Sequence, residues 1–426
     1  MKKKLSLFVW VIGLFSFISA VATADSELVI HGLVSQGFMS TSDNNFLSKS
    51  ESGSFDFNET IVNLQKQIDE KLRLGVQLMS RTLGEEGTRF YVDWGYGDYR
   101  LNDSFGLRFG RVKVPFGLYN KYRDIDLLRT SVFLPTTVYM EDYRQFISSF
   151  DGGAVYGSLP LKKGTLDFEF VFGGASAEED SMVAKDWFNQ FSAGYEGFLN
   201  ANTPALPAGV TLGKAAGLDR EVDAKNSLSA QLLFNNLVEG LRFGATRTVF
   251  GVDMNETYLY QPTFNPVTNA LAIPGFTTLM SSESRYKSID VGSVEYTRDR
   301  FTFAAELMAA HGQTDTTFRS SLGGAPVFFS NTHTVEGKYA MVDYRHSDKI
   351  SWCVYRGEYF ADRSNKNWQN WQKDTCLSLR YNISADWSIK IENHWMDGVG
   401  LVQRNINQGA LERDWNLLAI KATYNF

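Results

Sequence analysis

Cysteine, proline and histidine are scarce in this chain, at 2, 9 and 5 of 426 residues. Two cysteines exclude a disulfide-built scaffold and a thiolate cluster, which need more sulfur at close spacing. The histidines, His31, His311, His333, His346 and His394, are scattered, and neither H-E-x-x-H nor G-x-S-x-G occurs. No Ser and His pair suits lipid hydrolysis, so the chain reads as a non-enzyme without metal or cofactor. A basic excess is also missing. Against 48 Asp and Glu stand 42 Lys and Arg, a net charge of −6 that offers nucleic acid no footprint. After the first residues there is no run of roughly 18 apolar residues, which excludes a spanning helix.

The first residues read as a secretory signal. Lys2, Lys3 and Lys4 precede an apolar stretch from Leu5 to Ala20, and Ala22-Thr23-Ala24 supplies the small-residue site, with cleavage expected after Ala24. The stretch is shorter than the ~20 residues of a membrane anchor. Residues 1–24 are therefore expected to be a signal peptide and 25–426 a single exported domain. Aromatics make up 14% of the chain, glycines number 36, and the mean hydropathy is −0.23. A barrel with a polar lumen and an apolar lipid face averages to such a value.

Alternation with period 2 is the signal that would build such a barrel. It falls at 27–39, 55–65, 71–82 and 89–101, in a fifth segment starting at Ser104, and at 151–159, 165–172, 227–234, 241–252, 287–296 and 301–311. It continues at 334–344, 350–359, 375–383, 387–395 and 414–426, giving sixteen strands in all. Short polar turns such as 102–103 and 297–300 alternate with long links such as 173–226, 253–286 and 312–333. An up-and-down transmembrane antiparallel β-barrel requires that rhythm, with short turns on one side and long outer loops on the other. The longest ordered-looking link, Lys113–Phe150, carries Ile125, Leu127, Val132, Phe133, Val138, Tyr139 and Phe146, too many apolar groups to stay solvated. We expect it to fold into the barrel and narrow the lumen. A short helix is expected within 176–200.

The run Gly110-Arg111-Val112-Lys113-Val114-Pro115-Phe116-Gly117-Leu118-Tyr119-Asn120, followed by Arg123-Asp124-Ile125-Asp126, resembles Gram-negative outer-membrane porins near the phosphate-selective group. The strand pattern, the signal sequence and the terminal Phe426 extend the resemblance over the whole chain. It implies sixteen strands, an inward third outer loop and a homotrimer in the outer membrane. Phe426 resembles the signal by which the barrel-assembly machinery recognises its clients. Phosphate-selective members line the constriction with bases, whereas here Lys121, Arg123, Arg129 and Arg144 are matched by Asp124, Asp126, Glu141 and Asp142.

The expected pore residues are Arg73, Arg81, Arg108, Arg111, Lys113, Arg123, Asp124, Asp126, Arg129 and Arg380. Lys390, Asp167, Glu169, Glu306 and Glu392 also take inward parity. Such charges either form rings that set which ions pass or pair across strands and only keep the lumen wet. Trp94, Tyr96, Tyr99, Trp352, Trp387 and Trp395 are either interfacial girdles or ordinary strand aromatics. Cys353 and Cys376 lie symmetrically about a turn centred between Ser364 and Asn365, so a symmetric hairpin would oppose them and allow a disulfide in the lumen. The expected function is passive diffusion of small hydrophilic solutes or ions, weakly anion-preferring, through a barrel surrounded by outer-membrane lipids. The alternatives are a barrel transporter for a specific, hydrophobic substrate and a non-conducting structural or adhesive barrel.

Overall fold

In the computed structural model, residues 27–84, 87–175, 179, 181–202, 216–264, 268, 270–407 and 409–426 are described. The expected signal peptide and its expected cleavage site at Ala24 lie outside them. The alternation of Leu72, Leu74, Val76 and Leu78 with Arg73, Gln77, Met79 and Arg81 makes β3 (Leu72–Leu83), whose second set faces a buried interior. Before it come β1 (Val29–Thr41) and β2 (Phe57–Gln67). After it run β4 (Thr88–Arg100), β5 (Phe105–Lys113), β6 (Ser149–Pro160) and β7 (Thr165–Ala175). The short strands β8 (Ala216–Ala224) and β9 (Asn226–Asn235) lie end to end along β10 (Leu241–Tyr260). A two-stranded ribbon, β11 (Thr263–Phe264) with β12 (Leu271–Ile273), precedes β13 (Phe276–Arg298), β14 (Phe301–Ser320) and β15 (Val327–Arg345). The last four are β16 (Ile350–Phe360), β17 (Trp371–Asn382), β18 (Trp387–Gly398) and β19 (Asp414–Asn425).

Every pairing is antiparallel, and β1 closes on β19 from Leu33↔Asn425 to Thr41↔Leu417. The result is a closed barrel of sixteen staves. Closure leaves no unpaired edge, which is what lets strands cross a bilayer at all. The expected strands are all present and differ from the observed ones mainly at their upper ends.

Two long links expected between strands are themselves mostly strand. The segments 253–286 and 312–333 extend β10, β13, β14 and β15 to 20, 23, 20 and 19 residues. A bilayer needs about 9–11 residues of tilted strand, so roughly half of each stands above it. The inner face there is buried, yet Thr278, Ser282 and Ser284 on it are as polar as Thr277, Ser281 and Glu283 on the other. No hydrophobic alternation marks such a strand. Against this tall wall packs the helix Met182–Asn202, within which the expected helix falls. Tyr195 stacks on Phe318 with centroids 4.4 Å apart, and the Tyr258 hydroxyl donates to the Phe188 carbonyl at 3.2 Å.

The girdle assignment holds for some aromatics only. Tyr99, Trp352, Trp387 and Trp395 are exposed on the outer wall. In β4 an extra residue shifts the register between Gln77↔Trp94 and Leu78↔Val92, and this bulge sets Trp94 and Tyr96 facing inward. The disulfide expectation is corrected by a similar offset. Phe360 pairs with Trp371, which moves the turn centre between Asn365 and Lys366, so Cys353 opposes Ser378 and Cys376 opposes Tyr355. Both thiols are buried and free. Protein denatured without reductant should therefore take up two alkyl groups by mass spectrometry. Uptake of none would restore the bridge.

Candidate functional site

The chain leaves β5 through Val114-Pro115-Phe116-Gly117 and crosses the barrel before returning at Ser149. Gly117 has φ 58°, a left-handed conformation that turns the loop off the wall, and a Cβ there would strike the Tyr139 hydroxyl. Ser229 and Gln231 of β9 donate to the Pro115 and Gly117 carbonyls at 3.1 and 2.7 Å. The buried Glu306 of β14 is the next anchor. It accepts from the Leu118 amide at 2.9 Å, from Ser293 at 2.5 Å, from Tyr339 at 2.7 Å and from the Tyr139 hydroxyl.

The loop then reaches the far wall. Asp126 takes Lys390 Nζ at 3.0 Å, Lys421 Nζ at 3.3 Å, the Thr423 hydroxyl at 2.7 Å and Arg129 at 3.4 Å. Glu392 of β18 accepts the Val132 and Phe133 amides at 2.7 and 3.2 Å, and Phe133 stacks on Phe57 at 5.3 Å. Thr137 lies so close to β15 and β16 that a Cβ on Gly337 would meet its carbonyl and one on Gly357 its hydroxyl. On the return, Glu141 binds Arg81 at 2.6 Å and Arg123 at 2.9 Å, while Asp124 binds Lys113 and Arg144. The charges complement one another, with wall cations meeting loop acids and wall acids meeting loop amides, hydroxyls and Arg144. Burial alone would raise the Asp124, Asp126 and Glu141 carboxyls. The surrounding cations outweigh it and hold all three below the ordinary carboxylate range.

Of the expected pore residues, Arg73, Arg81, Arg108 and Lys113 project from the inner wall. Arg123, Asp124, Asp126 and Arg129 lie in the loop, and Arg380 donates to its Leu127 carbonyl at 2.5 Å. Arg108 bridges Asp98 and Glu169 at 3.5 and 2.6 Å and lies 3.9 Å over the Tyr156 ring. Arg73 pairs with Asp98 at 2.9 Å. Arg111 is a correction. It sits opposite the outward-facing Gly95 and grips Asp151 on the outer wall with two bonds of 2.8 Å. The sequence reading missed Glu59, Asp93 and Lys421. Lys421 and Thr423 carry the inward parity of the last strand, which was the available signal. Cys376, Glu392 and His394 place donor atoms within 4.8 Å of one another. Both His394 nitrogens are already engaged, by Asp374 at 2.9 Å and Glu392 at 2.7 Å.

A chamber lies on either side of the loop. The inner one, about 570 Å³, is lined by Arg73, Trp94, Tyr96, Arg108, Lys113 and Lys121 among others. The outer one, about 620 Å³, lies between the loop, the helix and the tall wall.

No family model matches the chain, and no curated protein matches it. Among solved structures it is similar to Salmonella typhi OmpF, in complex with daunomycin. The TM-score is 0.52 at 10% identity, over 94% of this chain and 98% of that one. It also matches an anion-selective porin from Comamonas acidovorans, with TM-score 0.48 and 9% identity over 94% and 100% of the two chains. OmpT of Vibrio cholerae gives 0.46 and 10% over 95% and 99%. The likeness to OmpF establishes a shared barrel fold.

Proposed function

We propose that the chain is an outer-membrane channel of the porin type, passing small hydrophilic solutes or ions by diffusion. The supporting observation is a charged inner wall around two chambers, of about 570 and 620 Å³, on either side of one crossing loop. An apolar outer face with Phe90, Phe109, Phe170, Leu307 and Ile391 exposed fits a barrel set in lipid. Placement in a Gram-negative outer membrane follows from that architecture together with the exported N-terminus read from the sequence. The same reading includes a cleaved segment 1–24, assembly guided by Phe426, a homotrimer and kinship near the phosphate-selective porins.

The selectivity we assign is a weak anion preference. Arg73, Arg108, Lys113 and Lys121 line the inner chamber against Asp124. Asp98 and Glu169 balance much of that charge from behind. Reversal potentials in planar bilayers under a salt gradient test it. Replacing Arg108 with Gln should move the potential toward cations, and a strongly cation-selective wild type would overturn the assignment. One observation favours a second reading, a solute-specific transporter: the loop's anchors come from β2, β3, β9, β14, β18 and β19, around much of the wall. Such a protein would show little conductance until its solute were supplied.

A further inference from the structure

The outer chamber has a chemistry that ion passage does not require. Its floor is Asp142 and Tyr143 of the crossing loop, and one side is Asp186 and Trp187 of the helix. Trp187 stands edge-on to Tyr143 at 5.8 Å, its indole nitrogen 3.3 Å from the Tyr143 hydroxyl. Tyr286 of β13 and Tyr359 of β16 complete an aromatic enclosure. Among the described residues neither Asp142 nor Asp186 makes an ion pair. Asp142 has a Gln403 amide at 3.5 Å and the Tyr143 backbone N–H at 3.1 Å. One buried oxygen of Asp186 accepts no hydrogen bond, while the carboxylate takes Gln190 at 2.7 Å and the backbone amides of Arg404 and Asn405. Arg404 and His333 are the basic groups lining the chamber, and Arg404 approaches the Asp186 side. Among the described residues Asp142 has no cation beside it, Asp186 keeps one oxygen without a donor, and aromatic faces ring both.

We infer that the outer chamber binds organic cations with an apolar or aromatic body, such as benzylic or quaternary ammonium compounds. The cationic head sits between Asp142 and Asp186, and the body lies against Trp187 and Tyr143. A neutral sugar would find the same aromatic faces and could donate hydroxyls to the carboxylates, but it would leave their charge uncompensated. Burial and the nearby Asp186 push Asp142 up to about 7, so binding should weaken as pH falls from 8 to 6 and the charge is lost. Asp186, Arg404, His333, Tyr143, Tyr286 and Tyr359 are the other titratable groups facing it.

This inference names the solute class of the channel proposed above, yet its test does not need conduction. The full chain in detergent micelles is titrated calorimetrically at pH 8 with benzyltrimethylammonium, with benzyl alcohol as neutral match and maltose as polyol. The ammonium compound should bind at least about tenfold more tightly than either neutral probe, the scale of a charge-assisted contact. Asp142→Asn and Asp186→Asn should each remove about that factor, and Asp142→Asn should also abolish the pH dependence. Trp187→Leu should weaken binding at every pH. Retention of the folded-barrel gel mobility shows that each variant is intact. Equal affinity for all three probes, tighter binding of maltose, or asparagine variants that bind like the wild type would overturn the inference. Tight binding by a protein that never conducts would overturn the channel reading and leave the cation site standing.

Discussion

Removing Ile125–Tyr143 is expected to raise single-channel conductance several-fold. The deleted segment carries Asp126, Val132, Phe133, Thr137 and Tyr139, the contacts by which the loop spans the lumen. Without it the two chambers merge, and Lys390, Lys421 and Glu392 become groups on a water-lined wall. The barrel should survive, because closure rests on strand pairing between β1 and β19 and not on the loop. A planar bilayer recording of the folded deletion decides the matter. Conductance equal to that of the wild type would mean that the ions pass elsewhere and that the crossing is no constriction. A silent wild type with a conducting deletion would favour the solute-specific reading.

Asp126→Ala should loosen the same crossing from a single position. The substitution removes the carboxylate shared by Lys390, Lys421 and Arg129, leaving Lys421 with Glu59 alone. Removing one partner from a buried ionic cluster costs about 3–5 kcal/mol. We expect a lower unfolding midpoint and noisier, larger open-channel currents, whereas Asp126→Asn keeps an acceptor for Lys390 and Thr423 and should fall between. The acid response has a definite sign. The Asp126, Asp124 and Glu141 carboxyls are held below their unfolded range, so their contribution is complete above about pH 4 and fades only below it. Wild-type conductance should stay level from about pH 7 to about 4 on that account. Unchanged melting and unchanged currents in Asp126→Ala would show that the cluster does not hold the loop.

Much of the barrel was legible because lipid on one side and water on the other force a period of two. In β3 and β19 that contrast is strong, and inward and outward side chains alternate without interruption. Where small polar side chains stand on both faces, as in the upper halves of β13 and β14, the contrast vanishes and strand looked like loop. Single-residue events were also invisible. The bulge at Asp93 turned Trp94 and Tyr96 inward, and a turn centre displaced by one position shifted Cys353 from Cys376 to Ser378. Arg111 is different. Strict alternation from the inward Arg108 puts both it and Lys113 outside, but only Lys113 breaks that parity and turns in to meet Asp93 and Asp124. The loop's partners were only half readable. Lys421, Glu59 and Glu392 all have inward parity, yet nothing local ties any of them to residue 126 or 132. That match depends on the path of the whole loop.

The loop's anchors are also far away along the chain, which fixes when they can form. Asp126 meets Lys390 and Lys421, which follow it by 264 and 295 positions. Lys421 in turn meets Glu59, 362 positions before it, at 2.7 Å. These bonds span the seam where the first strands meet the last. Until β19 has joined β1, Asp126 lacks Lys421 and Thr423 and keeps water as a partner. Contacts of such separation come late in folding, after the entropy of closing the intervening chain has been met. The anchor of the crossing loop on Lys421 and Thr423 can therefore form only after the cylinder has been completed in the correct register.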